Sequence, residues 1–288
     1  MALQDLQILI LVAVIVAQVA WLLFNPRAEG FEDGGAFSTM APATDHTEMT
    51  PAPQDDDPRD LPWFASWSPA DRRARRGQNC NVTNIQDGPD GTMLLTTTKS
   101  CEDGLPHTRV GDRIIIPDNV STVDRQDTIR HELIHVYQRR NPEAWAKFYQ
   151  RNWSFVLYKK PPANMPRELV EACRSNPDTW DPLMGGRWSC WMGRWWPLAI
   201  YRDAVNPRLR DVDIVFWDAW RGAAFKEPPQ QWHSFFGTPG QTEHPHELAA
   251  TLIVAGDTQT EAGRRINTWW DSTGRFQARS VPEILKTN

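Results

Sequence analysis

The sequence predicts an α+β domain, a small mixed sheet with a long helix against it, preceded by a membrane-spanning helix and a flexible stalk. Three observations lead there. Residues 6–24 carry no charge and are almost continuously apolar. Residues 25–60 are rich in Pro, Gly, Ala, Thr and acidic side chains. Beyond residue 60, short β-branched runs come first and capped helical stretches follow.

The chain therefore divides into an anchor (1–24), a linker (25–60) and a folded part (61–288). The run from Leu6 to Phe24 is long enough, as a helix, to cross about 30 Å of hydrocarbon, and Trp21 stands where an interfacial ring belongs. A cleaved signal peptide would want a basic start. Here Asp5 precedes the run with no Lys or Arg, so an uncleaved, single-pass membrane anchor is expected. The linker, with Asp55-Asp56-Asp57, has too few large apolar groups to repay its ordering entropy.

Which side of the membrane holds the folded part stays open. Arg27 beyond the anchor favours the cytoplasm. Four cysteines, spaced as Cys80 with Cys101 and Cys173 with Cys190, favour an oxidising compartment, as do the sequons at Asn81, Asn119 and Asn152. Free buried thiols are the alternative for the cysteines.

Within the folded part, Ser68-Pro69 is a cap and first-turn signature for a helix from Pro69 to about Arg76. Met93–Thr98 and Arg113–Ile116 read as strands bounded by Gly91, Gly104 and Pro117. Thr122 and Asp124 can start a long helix from about Val123 to Arg140, closed by Asn141-Pro142. Pro142 begins another helix through Trp153, and a third is expected from Pro166 to Arg174. Ala199–Tyr201 and Val212–Trp217 read as strands, and Pro245 opens a helix through about Val254.

A net charge of −5 offers phosphate no broad attraction, which argues against a nucleic-acid partner. The cluster Arg72, Arg73, Arg75, Arg76 reads as a solvated helix face. The 15 tryptophans fall mostly after Trp145 and read first as core, since neighbours such as Trp195 and Trp196 cannot both face one groove. The other reading is a cleft lined with indoles.

The chemistry is carried by His131-Glu132-Leu133-Ile134-His135 inside the long helix. Residues four apart share a helical face, so both imidazoles can reach one zinc ion. Glu132, one step on, can act as general base on a zinc-activated water, while Leu133, Ile134 and Val136 give the helix an apolar side. Serine or cysteine nucleophile chemistry lacks support: there is no GxSxG pattern and no Cys has an evident activating partner.

With this HExxH motif, the chain resembles the zincin metallopeptidases over residues 129–138. The resemblance implies a zincin-like fold, Zn2+ as cofactor, peptide-bond hydrolysis and a third protein ligand with one position left open. His244-Pro245-His246-Glu247-Leu248-Ala249-Ala250 is similar to the ExxA segment of the glutamate-liganded zincins, which puts Glu247 in that place. Many relatives carry an aspartate four residues later, where Thr251 stands here. Glu171, 36 residues past His135 against 112 for Glu247, is the rival ligand, with His244 and His246 behind it. For an oxyanion donor the sequence offers Tyr201, His233 and Tyr137, and Asp178 in Asn176-Pro177-Asp178 reads first as a turn residue.

The expected function is a membrane-anchored zinc metallopeptidase acting on a peptide or protein substrate. The alternative, from another class, is a tethered Trp-rich module that binds a glycan or protein, with structural zinc or none.

Overall fold

A computed structural model describes residues 61–180, 185 and 187–272. The expected anchor (1–24) and linker (25–60) lie outside the described residues, within which no helix is long and apolar enough to cross a membrane. In chain order the helices are α1 (Leu61–Ala65), α2 (Pro69–Ala74), α3 (Arg125–Arg140), α4 (Pro142–Phe148), α5 (Arg167–Ala172), α6 (Gln230–Phe236), α7 (Pro245–Val254) and α8 (Glu261–Ser272). The strands are β1 (Val82–Asp87), β2 (Met93–Thr97), β3 (His107–Arg109), β4 (Arg113–Pro117), β5 (Phe155–Tyr158), β6 (Trp188–Trp191), β7 (Trp195–Tyr201), β8 (Val212–Asp218) and β9 (Ala223–Phe225).

The class is α+β, but strands do not simply precede helices. Two sheets form, and the helices fall between and after them. The first has the order β1-β2-β4-β3, with β2 and β4 parallel and the outer pairs antiparallel. The second is an antiparallel run, β5-β6-β7-β8-β9. Its strands are built of Trp, Phe and Tyr as much as of β-branched residues, which is why only β7 and β8 show as strands in the sequence.

Local signals explain the start points. Ser68 and Asp71 close a capping box on α2, each side chain bonding the other's backbone N–H. The long helix begins at Arg125, with Asp124 and not Thr122 at the N-cap position; the Asp124 side chain makes no cap bond, because it accepts from the Ser121 hydroxyl (2.6 Å) in the preceding turn. The helix expected from Pro142 to Trp153 changes pitch at Tyr149, where a single π turn carries it to Trp153.

Helix α3 is gripped on two sides. Ile129, Leu133, Val136 and Tyr137 pack with Leu94, Ile114 and Ile116 of the first sheet. Ile134 enters a larger core with Trp145, Trp153 and Trp232 together with Leu248, Ala249 and Ala250 of α7. The tryptophans are mainly core, as expected: Trp188, Trp191, Trp196 and Trp217 are buried too, while Trp220 is exposed.

One expectation needs correction, and the state of the cysteines, left open by the sequence, is split between its two alternatives. The arginines of residues 72–76 are not all a solvated face: Arg72, Arg73 and Arg76 are exposed, but Arg75 is buried. Its guanidinium lies over the rings of Trp63 and Trp67 and binds Glu102 (2.7 Å) and Asp71 (3.1 Å). Cys80 and Cys101 are disulfide-bonded, whereas Cys173 and Cys190 are free thiols. These two sit in one apolar core with Met165, Trp188 and Trp217, and each sulfur faces a backbone carbonyl instead of the other sulfur. The disulfide holds the turn that carries Glu102, whose backbone has a positive φ of 45°.

Burial opposes the charge on Glu102, but Arg75 and Arg109 outweigh it and hold its carboxyl down to about 2. This contribution to stability is complete above the ordinary carboxylate range and is lost as pH falls towards 2. Arg75→Ala leaves both Glu102 and Asp71 buried without that partner, so we expect a loss of about 3–5 kcal/mol in denaturant unfolding at neutral pH. The same variant should unfold at a higher pH than wild type in an acid titration followed by circular dichroism.

Candidate metal centre

With two faces of α3 in the cores, His131, Glu132 and His135 remain on the third, where His131 and Glu132 line a cleft of about 720 Å³. The imidazoles of His131 and His135 are neighbours, with ring centroids 4.8 Å apart. Helix α7 meets them from the other side. Pro245 fixes its first turn, and the His244 side chain caps it by accepting the His246 N–H (3.3 Å). Ala249 and Ala250 are fully buried, so α7 approaches closely and Glu247 in its first turn reaches the two rings.

Glu247 Oε2 lies 3.2 Å from His131 Nε2 and 3.5 Å from His135 Nε2. Ligands about 2.0–2.1 Å from one tetrahedral ion stand roughly 3.3–3.4 Å from each other, so both separations from Glu247 are close to an edge of a coordination tetrahedron. The donor set, two imidazole nitrogens and one carboxylate oxygen, suits zinc. His135 Nε2 is buried with no hydrogen-bond partner, which is the state of an atom waiting for a ligand.

The tautomer agrees. Gln138 donates its amide N–H groups to Tyr149 Oη (3.1 Å) and to the His246 carbonyl (3.0 Å), so its Oε1 must be the acceptor that faces His135 Nδ1 at 2.7 Å. Nδ1 of His135 therefore carries the proton, and deprotonation exposes the lone pair on Nε2. This bond fixes the His135 ring as a carboxylate does in histidine metal sites, and it comes from α3 itself instead of position 251. On the other ligand, Asn176 Nδ2 donates to Glu247 Oε1 (2.7 Å), which leaves Oε2 free to face the rings.

Electrostatically the cluster is strained. Burial, then Asp178 and Glu247, push the Glu132 carboxyl well above the usual range. Burial also opposes a charge on His135, but Glu247 and Asp178 outweigh it and hold that ring up to about 9. Glu247 is held well below the ordinary range, against its burial, by His135 and His131. Three carboxylates and two imidazoles out of water favour a cation in their midst. A second grouping, Glu132, His135 and Asp178, also has ligand atoms within 4.8 Å of one another. It shares His135 with the first and has a single nitrogen, a poorer set for zinc.

The other candidates lie elsewhere. Glu171 forms an exposed ion pair with Arg167 (2.7 Å) on α5, away from the cleft. His244 is used as a cap, and His246 is buried against Tyr149, where its ring does not join the ligand cluster. Tyr201 donates to Asp71 (2.9 Å), Tyr137 packs in the sheet core and His233 is exposed on α6, so none of the three lines the cleft. No Trp among the described residues lines it either.

Two side chains that hold the cluster, Gln138 and Asn176, were not singled out in the sequence, and Asp178 was read there as the turn residue it is. Gln138 had a signal, one helical turn after His135. Asn176 and Asp178 showed only as a turn, and nothing local says where that turn docks.

We expect Gln138→Leu to leave Tyr149 Oη, the His246 carbonyl and His135 Nδ1 without their partner, and to cost about 1–3 kcal/mol. Urea unfolding of the metal-free protein measures it. Comparison with protein-family models, with curated proteins and with solved structures finds no match to this chain.

Proposed function

We propose that this chain is a zinc-dependent metallopeptidase of the glutamate-liganded, zincin-like kind, held at a membrane by residues 1–24 and acting on a peptide or protein substrate. One observation carries the reading. A carboxylate from a distant helix stands at coordination spacing from both histidines of an HExxH motif, 3.2 and 3.5 Å away, with the motif's glutamate beside them and a cleft above. No comparable observation at the cleft favours a tryptophan-lined binding module.

His131, His135 and Glu247 would hold the zinc, which when bound would polarise a substrate carbonyl and lower the pKa of water to about 7. Glu132 takes the proton from the attacking water and later delivers it to the leaving amine. Its burial suits both roles, since a carboxyl with a raised pKa accepts a proton readily in a water-poor site. Gln138 and Asn176 keep one ligand each in the binding orientation. No covalent intermediate is needed.

The metal test uses elemental analysis. Wild type should contain one zinc per chain, and His135→Ala and Glu247→Ala should contain almost none. Glu132→Gln should keep the zinc and lose about 10²–10⁴ in turnover of a mixture of internally quenched fluorescent peptides. Zinc retention without hydrolysis in wild type would sink the peptidase reading.

A pH dependence follows from His135. In the metal-free protein Glu247 keeps a proton on that ring up to about 9, and the proton must leave before Nε2 can coordinate. Apparent zinc affinity should therefore rise about tenfold per pH unit through the neutral range and level off above 9, as read by competition with a chromogenic chelator.

A further inference from the structure

We infer that Asp178 is the positioning residue for Glu132, an inference that rests on the peptidase reading above. Asp178 is buried in a 3-10 turn (Pro177–Thr179) packed against the edge strand β3. Its Oδ1 accepts both the backbone N–H (2.6 Å) and the hydroxyl (2.8 Å) of Thr108. Thr108 Oγ1 in turn receives Arg139 Nη2 (2.9 Å), and the same guanidinium donates to the carbonyls of Arg109, Pro177 and Trp180. One arginine from the end of α3 thus clamps β3 and the turn to the helix that carries the motif. Such fixing is more than a turn residue needs, and it holds one carboxylate oxygen still beside Glu132 and His135.

The consequence for Glu132 is directional. Its Oε2 is buried with no hydrogen-bond partner among the described residues. The fixed Asp178 carboxylate within reach of Glu132 limits the orientations open to that oxygen. When the water O–H breaks and the new Glu132 O–H forms, Asp178 becomes an acceptor for that hydrogen and gains a hydrogen bond only. The proton then leaves Glu132 for the amine nitrogen as the C–N bond breaks, and Asp178 ends as it began. Asp178 touches neither substrate nor metal in this scheme.

Asp178→Asn tests it, because an amide oxygen can keep both Thr108 bonds while the amide nitrogen turns a donor towards Glu132. On zinc-loaded full-length protein with the quenched-peptide mixture, kcat should fall about 10- to 100-fold with KM and zinc content unchanged. The visible spectrum of the cobalt-substituted protein should not move. An unchanged kcat would mean that Asp178 only builds the turn, and lost zinc affinity or an altered cobalt spectrum would make it a ligand; either overturns the inference. Should Asp178→Asn fail to fold, Thr108→Val decides, since it removes one of the two bonds and should lower kcat about 3- to 10-fold with KM constant; no loss there also overturns it. If zinc-loaded wild type hydrolyses nothing, the peptidase reading falls and this inference with it. If wild type is active and the variants match it, only the role of Asp178 falls.

Discussion

A water-poor pocket that holds Glu132, Asp178 and Glu247 together with two imidazoles has too much negative charge to be comfortable alone, and the rest of the arrangement is a response to that. Isolated burial of one carboxylate costs several kcal/mol, so the pocket must either bind protons or bind a cation. In the metal-free protein protons are the response, with His135 charged against Glu247 and Glu132 pushed towards its neutral form. On the proposed function, a divalent ion would replace those protons with one compact charge. The scaffold is therefore built to hold the donors where repulsion would scatter them.

That holding is done by neutral amides and by one arginine. Gln138 and Asn176 each fix a ligand through an uncharged hydrogen bond, adding no charge to a site that already has enough. Arg139 sits one residue beyond Gln138 and spends its donors on backbone carbonyls and Thr108, so it ties α3 to its surroundings. Another arginine, the buried Arg75, plays a comparable part at the cleft wall, where it joins α1, α2 and the disulfide-bonded turn through Trp63, Asp71 and Glu102.

What could be read from the sequence was local. HExxH spacing, the apolar residues of α3 and the proline that opens α7 all act within one or two helical turns, and the structure has them where periodicity and capping put them. The second sheet was half visible, because its strands are rich in tryptophan and lack clean alternation. Asp178 read as a turn residue, and it is one, but its place beside the site was not legible. Asn-Pro-Asp does form a turn, but whether a turn's carboxylate faces solvent or a metal pocket depends on packing against β3, which local spacing does not contain. Arg75 shows the same limit: four arginines in five positions read as a solvated face, and one of them rotates inward because two indoles and two carboxylates meet it there.

The choice between Glu171 and Glu247 turns on what lies between the site helices. A short spacing favours Glu171 only if the chain passes directly from the motif helix to the ligand helix. Here residues 155–225 intervene, and they carry the antiparallel sheet β5–β9 with its own core. Helix α5, which carries Glu171, belongs to that inserted layer and packs against α2 and β7. Helix α7 comes after the insertion and packs on α3 directly, through alanines too small to keep the backbones apart. The 112-residue gap is therefore the length of a folded layer and not of a loop. Close approach of two helices, set by side-chain size, decides which carboxylate can reach the histidines.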